Sequence, residues 1–302
     1  MVSLFGKRHA AAQPAPTGVR EVVRGFSIEV MPRTAAKVED FKGLLPQGTR
    51  VYIAHIEGTP IEDMVATAKR LGEAGFEVMP HFPARIIPDR AVLEDWVKRY
   101  HDEAGVTSAL LLGGSPKTPA GAYESSMQLL ESGLFDAHGF TRLHFAGHPE
   151  GNRDIDTDGS TKLVDAALHW KQDYAGRSDA EMAIVTQFVF DAAPVLSWTR
   201  RLREAGVSLP VHVGVSGPAK LQTLIRFAIA CGVGPSMKVL EKRAMDLSKL
   251  LVPYEPTDVL SALAPAQQMG EIAQVHFFPL GGIVPCAEWA KRNGGAPLQA
   301  VV

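Results

Sequence analysis

The residues of this 302-residue chain that are best suited to chemistry are a glutamate and several histidines, each within or after a short apolar run. Glu29 lies in the stretch GFSIEVMPR, where Phe26, Ile28 and Val30 alternate with it as on a β-strand. A glutamate on the other face of such a strand is either a solvated residue or an acid that faces a pocket. The local pattern does not decide between the two.

Other polar residues and glycines lie at the ends of the later apolar runs. In chain order they are His55, His81, Gly113, Gly114 and Ser115, His148 with Glu150, Gln187 with Asp191, the glycines of 214–217, and Gly281 with Gly282. A single histidine on a strand is more often a hydrogen-bonded structural residue than a ligand or base. These residues therefore form a site only if the fold brings the ends of the runs together.

The order of the elements predicts such a fold. Eight apolar runs read as strands, at 25–33, 50–58, 76–84, 108–114, 142–151, 181–191, 210–217 and 274–282. Each run is followed by a helical pattern. These patterns cover 34–44, 61–74, 92–104, 123–130, 162–174, 194–205, a region that begins at 220, and 285–293. Thr34 is the predicted N-cap of the first helix, and the region from 220 continues past a break at 232–235.

Strands that alternate with helices at this spacing indicate a parallel sheet with right-handed crossovers. Eight units favour a single-domain (β/α)8 TIM barrel over residues 24–302, preceded by a flexible arm, 1–23. No G-x-G-x-x-G sequence opens the first βα turn, which disfavours an open nucleotide-binding sheet. In such barrels the carboxyl ends of the strands meet at one mouth, where chemistry takes place.

The composition excludes several classes of partner. The chain is 46% apolar and 21% charged with a net charge of −2, so it offers no electrostatic case for nucleic acid or an anionic membrane. No apolar stretch has the length of a signal peptide or a membrane span, so we expect a cytoplasmic protein. Cys231 and Cys286 lie in apolar surroundings and are expected to be buried free thiols.

Two kinds of ligand are open to the residues at the mouth. Glu29, His55, His81 and His148 provide metal-ligating atoms, but they lack the tight spacing of metal sites, so we expect no metal. The glycine-rich turns instead suggest close approach of the backbone to a large flat or phosphorylated ligand. This favours an organic cofactor.

Four motifs resemble the methylenetetrahydrofolate reductase family along residues 24–292. They are FSIEVMP, MPHF, AGHPEGN and VTQFVFD, of which the last is nearly the family pattern I-T-Q-F-F-F-D. The resemblance implies a (β/α)8 flavoenzyme that reduces 5,10-methylenetetrahydrofolate to 5-methyltetrahydrofolate in one-carbon metabolism, with FAD as cofactor and NADH or NADPH as electron donor. A homo-oligomer is also expected.

The resemblance also implies roles for individual residues. Glu29 falls on the family's general acid and Gln187 on the glutamine that binds the pterin, and we expect Gly214 and Leu280 to complete the substrate pocket. A strand-borne glutamate in an apolar pocket would have a raised pKa, which suits an acid. The residues expected to bind the cofactor are His55, His81, Gly113, Gly114, Ser115, Tyr123, His148, Glu150, Asn152 and Lys171.

The chain departs from the family pattern at several of these positions. Ser115 stands where the family has an aspartate beside the flavin, Ala54 replaces a threonine, Asn152 replaces a histidine, and residues 281–282 replace an asparagine and an arginine. These changes weaken the expectation of FAD and of a nicotinamide donor more than that of the fold. A partner protein as donor, a flavin-free folate-binding barrel that transfers one-carbon units, and a non-catalytic folate- or partner-binding relative therefore remain alternatives.

Overall fold

The structure is a computed structural model that describes residues 17–233, 237–246 and 252–295. Within them, eight parallel strands pair in chain order, and the last pairs with the first to close a barrel. The strands are β1 (Ser27–Val30), β2 (Arg50–Ile53), β3 (Glu77–Pro83), β4 (Ser108–Leu112), β5 (Arg142–Gly147), β6 (Glu181–Val189), β7 (Val211–Ser216) and β8 (Gln274–Phe278). This arrangement confirms the predicted (β/α)8 TIM barrel.

The main helices between the strands are amphipathic and pack around the barrel. They are Ile61–Glu73, Arg90–Ala104, Ser126–Glu131, Leu134–Ala137, Lys162–Ala175, Ala192–Glu204, Leu221–Ala230, Met237–Met245, Thr257–Gln268 and Ile283–Arg292. Arg90–Ala104 shows how the sequence sets their ends: the Asp89 carboxylate accepts from the backbone N–H of Val92, and Gly105 closes the helix at φ 63°. A 3₁₀ turn, Ala84–Ile86, follows β3.

Alternation along the strands separates an apolar outer face from a polar interior. The outward residues Ile28, Val51, Leu111, Val213 and Phe277 are fully buried under the helices. The inward positions between them carry many polar side chains, which is unusual because branched aliphatic residues dominate most such barrels. The interior therefore combines these polar groups with a small apolar cluster of Tyr52, Met79, Leu110 and Val185.

The predicted helix over 34–44 is wrong. Two one-turn helices, Pro32–Ala35 and Phe41–Leu44, occupy this stretch. Pro32 begins the first because its fixed φ suits the first helical position, so Thr34 lies inside the turn and its hydroxyl bonds the backbone of Met31. Asp40 caps the second through the N–H of Gly43.

Most predicted strands extend too far at their carboxyl ends. β1 ends at Val30, β2 at Ile53, β5 at Gly147 and β8 at Phe278. The apolar pattern continues into the following loops, but hydrogen bonding to the neighbouring strand stops earlier. The break predicted at 232–235 lies partly outside the described residues.

Part of the predicted flexible arm is ordered. Thr17–Val23 is a helix that packs on Thr257–Gln268, with Val19, Val22 and Val23 fully buried. The prediction of a flexible arm is therefore wrong for 17–23, because three valines provide enough apolar area to dock the helix. Residues 1–16 lie outside the described part of the chain.

An apolar cluster lies at the carboxyl ends of β6 to β8. It joins Phe188 and Phe190 of the β6 end to Leu224, Leu240 and Tyr254 of the segment after β7. An isolated antiparallel bridge between residues 219 and 254 joins two parts of this segment. We call this group the β6–β8 cluster.

The two cysteines differ in exposure. Cys286 is buried as predicted, but Cys231 is exposed, so the prediction of two buried thiols is wrong for Cys231. Its apolar sequence neighbours do not cover it, since Ile229 faces solvent as well. Among the helices of the described residues, none is long and apolar enough to cross a membrane.

Candidate active site

The acid candidate Glu29 points into the mouth from the inner face of β1. Its Oε2 atom lies 3.4 Å from Nε2 of His81 on β3 and 3.9 Å from Nε2 of His276 on β8. Burial raises the pKa of the Glu29 carboxyl, and proximity to His81 lowers it by a smaller amount. The arrangement favours a carboxylic acid that holds its proton.

The neighbouring histidine is neutral at physiological pH. Burial lowers the pKa of His81 to about 4, although the nearby Glu29 opposes this shift. The Nε2 atom of His81 is buried and has no well-aligned hydrogen bond to any protein group. It is therefore able to bond a ligand at the mouth.

A second histidine contact was not predicted from the sequence. Ser27 Oγ and His276 Nδ1 form a 3.0 Å hydrogen bond, and the other ring nitrogen of His276 faces Glu29. Ser27 is fully buried, so its hydroxyl orients the imidazole and is not placed to attack a substrate. The alternation in QVHFF, which turns His276 inward, is the sequence signal that identifies it.

Beneath this pair, more polar rings fill the barrel. The Tyr52 hydroxyl and His144 Nδ1 form a 2.6 Å hydrogen bond, the Tyr52 ring packs 4.6 Å from His276, and His144 packs 4.9 Å from His212. Burial lowers the pKa of His212 and His276 to about 3 and that of His144 well below its usual value. The layer is therefore uncharged.

Ion pairs close the opposite end of the barrel. Arg50 contacts Glu77 at 2.9 Å, and Arg142 contacts Glu77 at 3.6 Å and Glu181 at 2.7 Å. These four side chains, the base ion pairs, lie at the first residues of β2, β3, β5 and β6. The mouth is thus separated from the base by the neutral ring layer.

Gln187 presents its amide at a bulge in β6. The pairing of β6 with β7 shifts between Val185 and Phe188, and the Gln187 Oε1 atom accepts from the N–H of Phe188 at 3.1 Å. No protein partner is seen for the Gln187 NH₂ group among the described residues, and Gln187 lines a cleft with His148 and Cys231. Gln187 therefore offers a hydrogen-bond donor at the mouth.

The absence of a side chain at Gly214 leaves room for the backbone of β6 and for the ring of Phe278. A Cβ at this position would lie 2.4 Å from the Thr186 carbonyl oxygen and 2.7 Å from the Phe278 ring. The Gly214 N–H donates to Thr186 Oγ1 at 2.9 Å, which fixes the bulge. Packing between the strands requires glycine at this position, whether or not a substrate contacts it.

His148 and Lys171 form a second polar group beside the mouth. His148 follows β5, and burial together with the Lys171 charge lowers its pKa to about 4. Lys171 is 5% exposed, and burial lowers its pKa to about 8. Its Nζ atom lies 5.2 Å from the centre of the Phe145 ring, and it contacts no carboxylate among the described residues.

The remaining predicted site residues lie around this centre. The His55 ring packs 4.7 Å from Trp96, and its Nε2 atom lies 3.1 Å from the Thr59 carbonyl oxygen. Tyr123 packs in the main core, while Ser115 is exposed. The other members are placed as follows: Gly113 and Gly114 after β4, Glu150 and Asn152 on the cleft with His148, and Leu280 against the β6–β8 cluster.

The residues expected to bind FAD fit such a ligand through their unpaired groups. His81 Nε2 is buried and makes no well-aligned hydrogen bond, and the buried Lys171 ammonium has no counter-charge among the described residues. A flavin dinucleotide offers acceptor atoms on its ring and negative charge on its phosphates. The cleft at His148 and Gln187 has a volume of about 130 Å³, however, below the roughly 300 Å³ of the smallest usual ligand pockets.

No cluster in the described residues suggests a metal site. No three histidine, cysteine, aspartate or glutamate side chains there come together as ligands. Glu29, His55, His81 and His148 therefore do not form the His-rich metal site considered from the sequence.

Comparisons with known proteins find remote likenesses. No family model matches the chain. Among solved structures, 7,8-dihydropteroate synthase from Vibrio fischeri is 12% identical with a TM-score of 0.44, over 88% of this chain and 92% of that one. The carboxyl transferase domain of Rhizobium etli pyruvate carboxylase is 12% identical with a TM-score of 0.48, over 92% of this chain and 45% of that one.

Proposed function

We propose that this protein reduces 5,10-methylenetetrahydrofolate to 5-methyltetrahydrofolate, as members of the methylenetetrahydrofolate reductase family do. The observation that carries the proposal is the half-buried carboxyl of Glu29, which faces the mouth beside the neutral His81 and His276. A carboxyl with a raised pKa supplies the proton that opens the methylene bridge to a reactive iminium.

The neighbouring groups support this role for Glu29. Ser27 fixes the His276 ring, and that ring keeps the carboxyl directed at the mouth. Because both adjacent histidines are neutral, they do not draw the proton away by forming an ion pair. Gln187 binds the pterin through its NH₂ group, since its oxygen is already bonded to the backbone.

FAD is the proposed cofactor, held by His81 and His148 with Lys171 opposite its negative charge. When bound, a flavin supplies the hydride that reduces the folate carbon, and NADH or NADPH is the proposed donor that restores it. The chain's own part is to position the folate, to hold the proton at Glu29 Oε2 and to keep water from the reacting carbon.

The small cleft at His148 and Gln187 favours a second candidate, a folate-binding barrel that works without flavin. In this alternative Glu29 and Gln187 keep their contacts with the folate, and the reducing equivalents or one-carbon unit come from another source. The exposed Ser115, in place of the family aspartate, is consistent with it.

The test is anaerobic. The purified protein is loaded with FAD, 5-methyltetrahydrofolate is added, and the visible flavin absorbance is followed. Bleaching would support both the cofactor and the reaction class. Folate binding by a colourless protein would favour the second candidate, and failure to bind either ligand would overturn both.

A further inference from the structure

The end of β8 places an aromatic ring beside the acid. Ser27 pairs with His276 and Ile28 with Phe277, so the next residues along the two strands, Glu29 and Phe278, are neighbours on the inner face. Phe278 is half-buried, whereas Phe277 is fully buried under the helices. Part of Phe278 therefore remains accessible at the mouth.

Protein contacts fix the orientation of this ring. It packs edge-on against His276 with ring centres 4.8 Å apart, and against Phe188 with ring centres 5.4 Å apart. The missing side chain of Gly214 provides the space, since a Cβ there would lie 2.7 Å from the ring. Phe278 is thus held rigidly by residues of β6, β7 and β8.

The neighbouring strands supply polar groups on both sides of the ring. The closed strand order places Gln187 of β6 and Glu29 of β1 on either side of β7 and β8. A flat ring lying on Phe278 would have the Gln187 NH₂ group at one edge and the Glu29 carboxyl at the other. A heteroaromatic ring with hydrogen-bonding atoms along its edges matches this arrangement.

We propose that Phe278 is the packing surface for the flat pyrimidine half of the pterin and thereby sets the specificity of the pocket for a bicyclic heteroaromatic ring. This inference rests on the proposed function, because that function names the pterin as the occupant. It assigns to Phe278 a direct contact with substrate that the motifs of the sequence do not indicate.

The test is the binding of 5-methyltetrahydrofolate, measured by calorimetry on the full chain. Phe278→Leu keeps an apolar side chain but removes the flat ring, and we expect its Kd to rise about fivefold to tenfold, in line with aromatic packing energies. Phe190→Leu is the matched control: Phe190 is buried in the same β6–β8 cluster and contacts Phe188 and Tyr254. Its Kd should stay within about twofold, because it does not adjoin Glu29.

The outcomes separate the two proposals. If the unaltered protein binds the folate tightly and Phe278→Leu binds it equally well, Phe278 has no packing role, and the proposed function stands. If both variants lose affinity equally, the effect comes from the stability of the cluster and the inference is overturned. If the unaltered protein binds no folate, the proposed function fails, and the pterin as occupant fails with it.

Discussion

His81 Nε2 lies 3.4 Å from Glu29 Oε2, yet burial favours the neutral form of both side chains. At the mouth of this barrel, a histidine and a glutamate in contact therefore form a pair without net charge. Such a pair keeps a proton on the carboxyl at a pH where an exposed glutamate would have lost it.

Glu29→Gln should abolish most folate reduction while leaving folate binding nearly unchanged. The amide keeps the shape of the side chain but has no acidic proton, and loss of a positioned acid typically costs a factor of about 10² to 10⁴ in rate. Single-turnover reduction and calorimetric binding would measure the two effects. Glu57→Gln, in an exposed loop beside the mouth, is the control. Near-normal turnover in Glu29→Gln would remove this residue from the mechanism.

Gln187→Ala should weaken folate binding more than it slows reduction of a bound flavin. The substitution removes the NH₂ donor at the mouth and also the oxygen that accepts from Phe188 N. We expect a loss of about 1–2 kcal/mol in folate binding, the scale of one hydrogen bond. Titration with folate and stopped-flow flavin reduction test this, with Gln268→Ala on an outer helix as control. Equal loss in both half-reactions would indicate a structural role.

Lys171→Met should stabilise the protein and weaken binding of an anionic cofactor. Burial without a carboxylate lowers the pKa of Lys171 to about 8, so the charged amine disfavours the folded state at pH 7. Removing it should raise the free energy of unfolding by roughly 2 kcal/mol. Chemical denaturation and FAD titration measure the effects, and Lys69→Met, at an exposed position, should change neither. A less stable variant would show that the ammonium is compensated in the folded protein.

Acid should destabilise the protein below about pH 6.5. The pKa values of His81, His148, His212 and His276 fall to about 3 or 4 in the folded state, so the unfolded chain binds more protons once pH drops through the ordinary histidine range. Above this range the histidines do not lower the free energy of unfolding. Below it, each of them lowers that free energy by about 1.4 kcal/mol for every further unit by which the pH falls.

Urea unfolding at a series of pH values between 7 and 4 measures this dependence. His212→Asn removes one titrating group from the ring layer and should make the slope shallower by about one proton. A free energy of unfolding that stays flat between pH 7 and 5 would contradict the assignment of neutral buried histidines.

Gly214→Ala should destabilise the barrel and disturb the mouth together. The added Cβ would lie 2.4 Å from a backbone oxygen, and overpacking of this kind costs about 1–3 kcal/mol. Gly72→Ala is the control, because that glycine is helical and a Cβ there meets its nearest atom at 3.7 Å. We expect Gly72→Ala to be neutral or stabilising. An unchanged unfolding midpoint in Gly214→Ala would show that the neighbouring strands adjust freely.

The sequence predicts the barrel well because its signals are local. Alternating apolar residues mark the strands, and the alternation around Ile28 correctly places Glu29 on the inner face. The contacts that define the site are different in kind. Ser27 and His276 are 249 residues apart, and Tyr52 and His144 are 92 apart, so no local pattern reveals their hydrogen bonds. Only the register of the closed barrel brings them together.

The base ion pairs and the ring layer above them have a consequence for the timing of the reaction. Arg50, Glu77, Arg142 and Glu181 close one end of the barrel, and packed rings fill the space up to Glu29. In the proposed reaction, Glu29 would regain its proton from the mouth, through the opening that would also admit the folate. Reprotonation of the acid would then follow departure of the product, in the interval between successive substrates.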